Sequence, residues 1–400
     1  AAVALADMWG VKCTVVEMMP QILPGALSAS LSAMARHDCE SHNVAVLTGE
    51  KVLRLEGENG RVARVVTDKR TLDAQVVVFA AGFVPNGALA REAGLEVTAF
   101  GGIVVNEHMQ TTDPDIYAGG DCVAIRNLIT GKLGYLPLGS MANRQGRVIG
   151  TNLAGGHARF PGYVGTWAVK LFGLSFCGTG LTVERARAEG FDAEGVCIEQ
   201  MDRAHFYPEH NMMTLELVVE RGTRRVLGAQ GACPAGDALK ARIDAIAGVL
   251  QYAQPTADDI SNLEVSYSPP FSSAMDVVNA VGNVADNVLA GRFIPVTGQD
   301  FMDKWRHRDE NHIFFVDARP AAAGKAVQAK FPDWHAIPLE EIRARMNEIP
   351  RDRPVAIVCN TGLRSYDSQL LMTQHGITNT VNAMGGMQSI SKMGLKPDDK

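Results

Sequence analysis

The stretch TTDPDIYAGGDC runs from Thr111 to Cys122. Ile116–Gly119 is predicted as a short buried strand. It ends at Gly119 and Gly120, where no Cβ bars the approach of a ligand, and Asp121 follows with a carboxylate. Outward from it, a second strand is expected at Ile103–Asn106. A loop through Pro137 leads to a helix over Ser140–Leu153, which Gly155, Gly156 and Pro161 close. Upstream, Ala1–Gly10 has helical spacing with Gly10 as its cap, and the β-branched run Lys12–Glu17 reads as a strand ending in an acid. Strands at Val44–Leu47, Lys51–Glu56, Arg61–Thr67 and Gln75–Ala81, with a helix near Ser30–Ser41, make an α/β sheet region with an inserted β-meander.

Downstream, strands over Val196–Asp202, Thr214–Arg221 and Arg224–Gly231 are followed by helices over Ala235–Tyr252 and Met275–Leu289, an α+β pattern. From Arg292 the rhythm changes to strand Ile313–Val316, helix Leu339–Met346, strand Val355–Val358, helix Ser365–His375 and strand Thr380–Ala383. Four units are expected, at residues 1–100, 101–158, 159–291 and 292–400. The 400 residues suffice for more than one core.

Hydrophobic residues make up 46% and charged residues 20%, with a net charge of −6, a globular composition without the basic footprint that nucleic acid or anionic lipid requires. The longest strongly apolar run, Val76–Val84, is about half of the ~18 residues a spanning helix needs, so no membrane crossing is expected. The seven cysteines are scattered, and the nearest pair, Cys177 and Cys197, stands twenty positions apart. That excludes CxxC redox and zinc-knuckle spacings and fits reduced thiols in a cytoplasm. No metal site is expected.

Two positions carry chemistry on their own spacing. In a βαβ dinucleotide site an acid ending the second strand bonds the adenosine ribose, ~20 residues after a glycine loop. Glu17 stands at such a strand end, and counting back reaches just before Ala1, so the chain is expected to lack its first strand and glycine loop. At the other end, Val355–Val358 leads into CNTGLRS: a strand, Cys359, four residues, Arg364 and a helix. A thiol at a helix N-terminus in a tight loop, with a guanidinium closing the ring, is suited to carry an anionic persulfide.

These segments resemble known families. Val76–Asn86 (VVVFAAGFVPN) is similar to the strand and turn facing the nicotinamide in pyridine nucleotide-disulfide oxidoreductases, with Gly82 open to a planar ligand. Thr111–Cys122 resembles that superfamily's second flavin motif, which implies that Asp121 bonds the ribityl chain of FAD. Leu136-Pro137-Leu138 and Ala142–Arg147 look like the segment returning under the flavin in the coenzyme A disulfide reductase and NADH oxidase branch, which brings Pro137 and Ala142 into the cofactor site. Ala204–Pro208 and Tyr267–Asp276 resemble the dimerisation domain of that branch; the resemblance implies a homodimer in which Tyr207 and Tyr267 reach the partner's active site. The branch's single redox cysteine has no counterpart here, and the resemblance puts it upstream of Ala1. Cys122, beside Asp121, reads as a core thiol.

Residues 292–400 resemble a rhodanese. CNTGLRS matches the active loop, Asp317-Ala318-Arg319 the early Asp-x-Arg, and Gly385-Gly386 the turn beside the pocket, while Phe331–Ala336 departs from the family's usual segment. The four-residue spacing favours sulfur transfer over phosphate hydrolysis, which uses one residue more. The fold class these resemblances imply is α/β: a partial two-dinucleotide-domain flavoprotein, an α+β dimerisation domain and a C-terminal rhodanese-like α/β domain. The implied function is FAD- and NADH-dependent reduction of coenzyme A disulfide or persulfide, a small-molecule thiol substrate, coupled to sulfur transfer with Cys359 and Arg364 as catalytic groups. The rivals are an NADH oxidase with a rhodanese module, and a sulfur-relay module on a dimeric platform.

Overall fold

The computed structural model describes residues 1–399. Strand Cys13–Glu17 pairs in parallel with Val44–Thr48, and helix Ala29–Ser41 connects them. Strands Val52–Glu58, Arg61–Thr67 and Thr71–Asp73 form the antiparallel meander expected from their β-branched runs.

Two expected strands are absent. Gln75–Ala81 is unpaired, and Val76, Val78 and Phe79 are exposed. Its composition suits a strand, but a strand exists only through ladder partners, and the parallel sheet here has two strands. Ile116–Gly119 contributes only a bridge, Gln110 to Tyr117; the strand lies just beyond it, at Val123–Arg126, between Ile103–Val104 and Leu133–Gly134. Helix Gly139–Leu153 packs beside this small sheet through Met141 and Val148.

The central sheet has five antiparallel strands in the order Ala193–Met201, Met212–Glu220, Val226–Cys233, Ser175–Gly180, Trp167–Lys170. Glycines interrupt the alternation of Ser175–Gly180, which hides that strand in the sequence, and the pairing requires one of them: a Cβ on Gly178 would meet the Trp167 ring of the neighbouring strand at 2.8 Å. Helices Gly236–Tyr252 and Val277–Leu289 cover one face with an aliphatic core that includes Leu239, Ile243, Val278 and Val281. The other face holds a polar row, Glu199, Thr214, Glu216 and Gln230, in which Glu199 pairs with Thr214 and Glu216 with Gln230 across adjacent strands.

Residues 292–399 form a wholly parallel five-stranded sheet in the order Pro295–Val296, Thr380–Ala383, Val355–Val358, Phe314–Asp317, Trp334–Ala336. The interval expected as one helix, Leu339–Met346, is instead two 3₁₀ turns, Leu339–Glu341 and Met346–Glu348. In the segment that departs from the family pattern, Trp334 is buried and donates through Nε1 to Asp317 Oδ2 at 2.8 Å, while Arg319 forks onto the same carboxylate. Asp317 is thus a buried charge that is fully paired. This unit packs on the polar face of the central sheet. Met387, Ile390 and Met393 share one core with Phe176 and Ala232 of that sheet and with Leu31 and Met34 of helix Ala29–Ser41.

Candidate functional site

Val355–Val358 is buried on both faces and delivers Cys359 to the sheet's C-terminal edge, where ligands of open parallel sheets bind. Gly362, at φ 104°, turns the chain into helix Leu363–Gln374 and donates its amide to Cys359 Sγ at 3.2 Å. Ser365 Oγ reaches the same sulfur at 3.3 Å and the Gly362 carbonyl at 3.1 Å, so one hydroxyl proton serves two acceptors. Cys359 is 1% exposed. The sulfur therefore lies at a helix N-terminus within reach of two donors. Arg364 lies exposed in the first turn of the helix, and the side chain that hydrogen-bonds the sulfur is that of Ser365. The sequence signal for Ser365 is its place in the helix's first turn, where a hydroxyl can reach back into the loop.

Behind the loop, Met387 N donates to the Cys359 carbonyl at 2.9 Å and Gln388 N to that of Asn360 at 3.0 Å. The approach needs glycine. A Cβ on Gly386, at φ 56°, would stand 2.4 Å from the Cys359 carbonyl oxygen. In front of the loop, a groove of about 750 Å³ is lined by Thr361, Gly362 and Leu363 on one side and by Phe206, Tyr267 and Met275 of the central unit on the other. Tyr267 and the Cys359 loop thus open onto one cavity. Tyr207 lies half-buried next to Phe206, with ring centroids 5.1 Å apart, and is not among the lining residues.

The residues expected at the cofactor sites form two further groups. Gly119 is held against helix Gly139–Leu153: a Cβ there would meet Ile149 at 2.9 Å, and Gln145 Oε1 accepts the Gly120 amide at 2.6 Å. A Cβ on Gly120 would lie 3.8 Å from Ala142, so Asp121, exposed, stands beside the first turn of this helix. No side chain caps that turn. The Tyr135 hydroxyl donates to the Phe83 carbonyl at 2.8 Å and ties the Gly82 turn to the segment through Pro137. Glu17 ends its strand apart from these, with Oε1 accepting the Met19 amide at 2.8 Å. Cys122 donates to the Gly119 carbonyl at 3.5 Å, and burial pushes its thiol up. Among the described residues no cluster of His, Cys, Asp or Glu could hold a metal ion, and no helix is long and apolar enough to cross a membrane.

An exposed carboxylate beside an uncapped helix start, with an open glycine turn tied to it, offers the acceptor and donors that a flavin's ribityl chain and ring need. Glu17, whose second oxygen is not used by Met19, can accept from ribose hydroxyls.

Residues 1–146 match the family described as pyridine nucleotide-disulphide oxidoreductase, and residues 167–278 match its dimerisation domain. A CoA-dependent NAD(P)H sulfur oxidoreductase of Pyrococcus abyssi is 34% identical over 69% of this chain and 60% of its own length. An NADH oxidase of Methanocaldococcus jannaschii is 32% identical over 73% of this chain and 65% of its own. This chain thus spans less than two thirds of these curated relatives. Among solved structures, an NAD-dependent persulfide reductase from A. fulgidus superposes with a TM-score of 0.87 at 34% identity, covering 97% of this chain and 69% of that one. An FAD-dependent pyridine nucleotide-disulphide oxidoreductase from Desulfovibrio vulgaris is 61% identical with a TM-score of 0.66, over 72% of this chain and 68% of that one. Sequence and fold agree, and the chain belongs to the pyridine nucleotide-disulphide oxidoreductase family.

Proposed function

We propose that this chain is part of an NADH- and FAD-dependent reductase of coenzyme A disulfide or persulfide whose residues 292–400 form a rhodanese domain that loads sulfur on Cys359. The observation that carries the reading is the shared groove: the Cys359 loop and Tyr267 line one cavity, so a small thiol carrier seated in it touches both. The persulfide reductase match supports it, since 97% of the chain must include most of residues 292–399. This favours a persulfide reductase over an oxidase, which needs no sulfur-loading loop.

In the loading step the Cys359 thiolate attacks the outer sulfur of a donor such as thiosulfate. The new bond joins Cys359 Sγ to that sulfur, the donor's S–S bond breaks, and sulfite leaves with the electron pair. The Gly362 amide and Ser365 hydroxyl hold the charge before and after transfer. A carrier thiolate then takes the sulfur and restores Cys359. Asp121, Gly82, Pro137 and Ala142 would hold FAD, and Glu17 the ribose of NADH; when bound, these groups supply the two electrons that cleave a carrier persulfide to thiol and sulfide. Tyr207 and Tyr267 would serve at a homodimer's shared site, protonating the departing sulfur. A ribose 2′-OH donates to Glu17 whereas a 2′-phosphate is repelled by it, so NADH is the expected donor.

The test is sulfur transfer from thiosulfate to cyanide by this chain. Turnover that disappears in Cys359→Ser is expected; phosphate-ester hydrolysis in place of sulfur transfer would contradict the reading.

A further inference from the structure

Glu199 belongs to the edge strand of the central sheet, on the face that the C-terminal unit covers, and its side chain is fully buried. Lys392, at the end of helix Gly386–Lys392, extends back to it. Nζ donates to Glu199 Oε2 at 2.7 Å, to Thr214 Oγ1 at 2.9 Å and to the Met212 carbonyl at 3.0 Å. Thr214 in turn donates to Glu199 Oε1 at 2.6 Å. All three ammonium protons and both carboxylate oxygens are thereby used, which is the condition under which a buried pair is tolerated.

The same glutamate touches the other end of the helix. A Cβ on Gly385 would come within 3.1 Å of Glu199 Cγ, so the turn lies directly on the Glu199 stem. A Cβ on Gly362 would in turn lie 3.6 Å from the Gly385 amide. From this turn the amides of Met387 and Gln388 bind the carbonyls of Cys359 and Asn360. One strand of the central unit thus grips both ends of the short helix that backs the sulfur loop.

We propose that Glu199 and Lys392 are positioning residues for Cys359: a clamp between the two units that seats the Gly385–Gly386 turn against the loop and keeps the Gly362 amide on the sulfur. This rests on the sulfur-loading role proposed for Cys359, and it adds that the reductase-side sheet sets the geometry of that loop.

Two readouts on the full chain test it. Hydrogen exchange of the peptide spanning Met384–Ile390 reports the Met387 and Gln388 amides without any sulfur chemistry, and thiosulfate-to-cyanide transfer reports the loop's competence. Lys392→Met is expected to speed exchange in that peptide by about tenfold or more and to lower kcat with KM for thiosulfate unchanged. Lys392→Arg, which keeps a charged donor, is expected to restore both. Because Lys392→Met strands a buried carboxylate, Glu199→Leu/Lys392→Met serves as the second variant. It strands no charge and is expected to keep the parent's Tm while exchange stays fast and kcat low. Parent-like exchange and kcat in the double variant would overturn the clamp. If the parent transfers no sulfur, the rhodanese reading fails, and exchange alone still decides whether the pair holds the turn.

Discussion

Cys122 and Cys359 both stand where a strand meets a glycine turn, and their sulfurs take opposite parts in hydrogen bonding. Cys122 precedes its strand and gives its proton to the Gly119 carbonyl, while burial raises its thiol. Cys359 follows its strand and receives the Gly362 amide and the Ser365 hydroxyl. At Cys122 the sulfur is the donor, and at Cys359 it is the acceptor. Neighbouring glycines are therefore poor evidence for a reactive cysteine. What distinguishes the two is whether the chain enters a helix just after the sulfur, which turns amides towards it.

The largest expected effect separates the two directly. Cys359→Ser is expected to abolish sulfur loading, because a hydroxyl is a poor nucleophile at neutral pH, whereas Cys122→Ser is expected to leave it at the parent's rate. Loss of loading in the Cys122 variant would place that thiol in the sulfur chemistry as well. Next is Gly386→Ala. Its Cβ would collide with the Cys359 carbonyl from a left-handed backbone, so a loss of about 2 kcal/mol or more is expected, read as a lower Tm together with slowed loading. A parent-like Tm would mean that the turn is not locked against the loop.

A third test asks what happens where a buried group is left only partly satisfied. Glu216 accepts from Ser28 Oγ at 3.0 Å, but its Oε1 and the facing Gln230 Nε2 have no partner. Burial pushes its carboxyl from 4.5 up to about 7. An acid raised on folding holds its proton more tightly in the folded chain, so stability falls as pH rises from 4.5 through about 7 and stays reduced above it. Glu216→Gln is expected to remove this pH-dependent loss, about 3 kcal/mol in total at most, and to raise Tm at pH 8. An unchanged pH profile in the variant would show that the carboxyl is solvated. The smallest effect is expected for Ser365→Ala: about 1 kcal/mol, or roughly fivefold in loading rate, since Gly362 still donates to the sulfur.

Much of this was legible in the residues. Arg61–Thr67 and Thr380–Ala383 are β-branched runs bounded by turn residues, and both are strands with those limits. The strand, Cys359 and helix order of the Cys359 loop follows from VAIV, the glycine and the helix-forming run beyond it. Gln75–Ala81 misled because composition reports what a strand prefers and not whether a partner is beside it. Glu199, Glu216 and Lys392 could not be read in advance. An acid in an alternating strand looks solvent-facing until another unit, separated by nearly two hundred positions in the case of Glu199 and Lys392, covers that face.

Of the seven cysteines, Cys359 is the one proposed to carry sulfur. The most direct measurement is peptide mapping by mass after incubation of the reduced chain with thiosulfate. One added sulfur atom is expected on the peptide spanning Val355–Arg364 and none on the peptide containing Cys122. Sulfur spread evenly over the cysteines, or absent from Cys359, would contradict it.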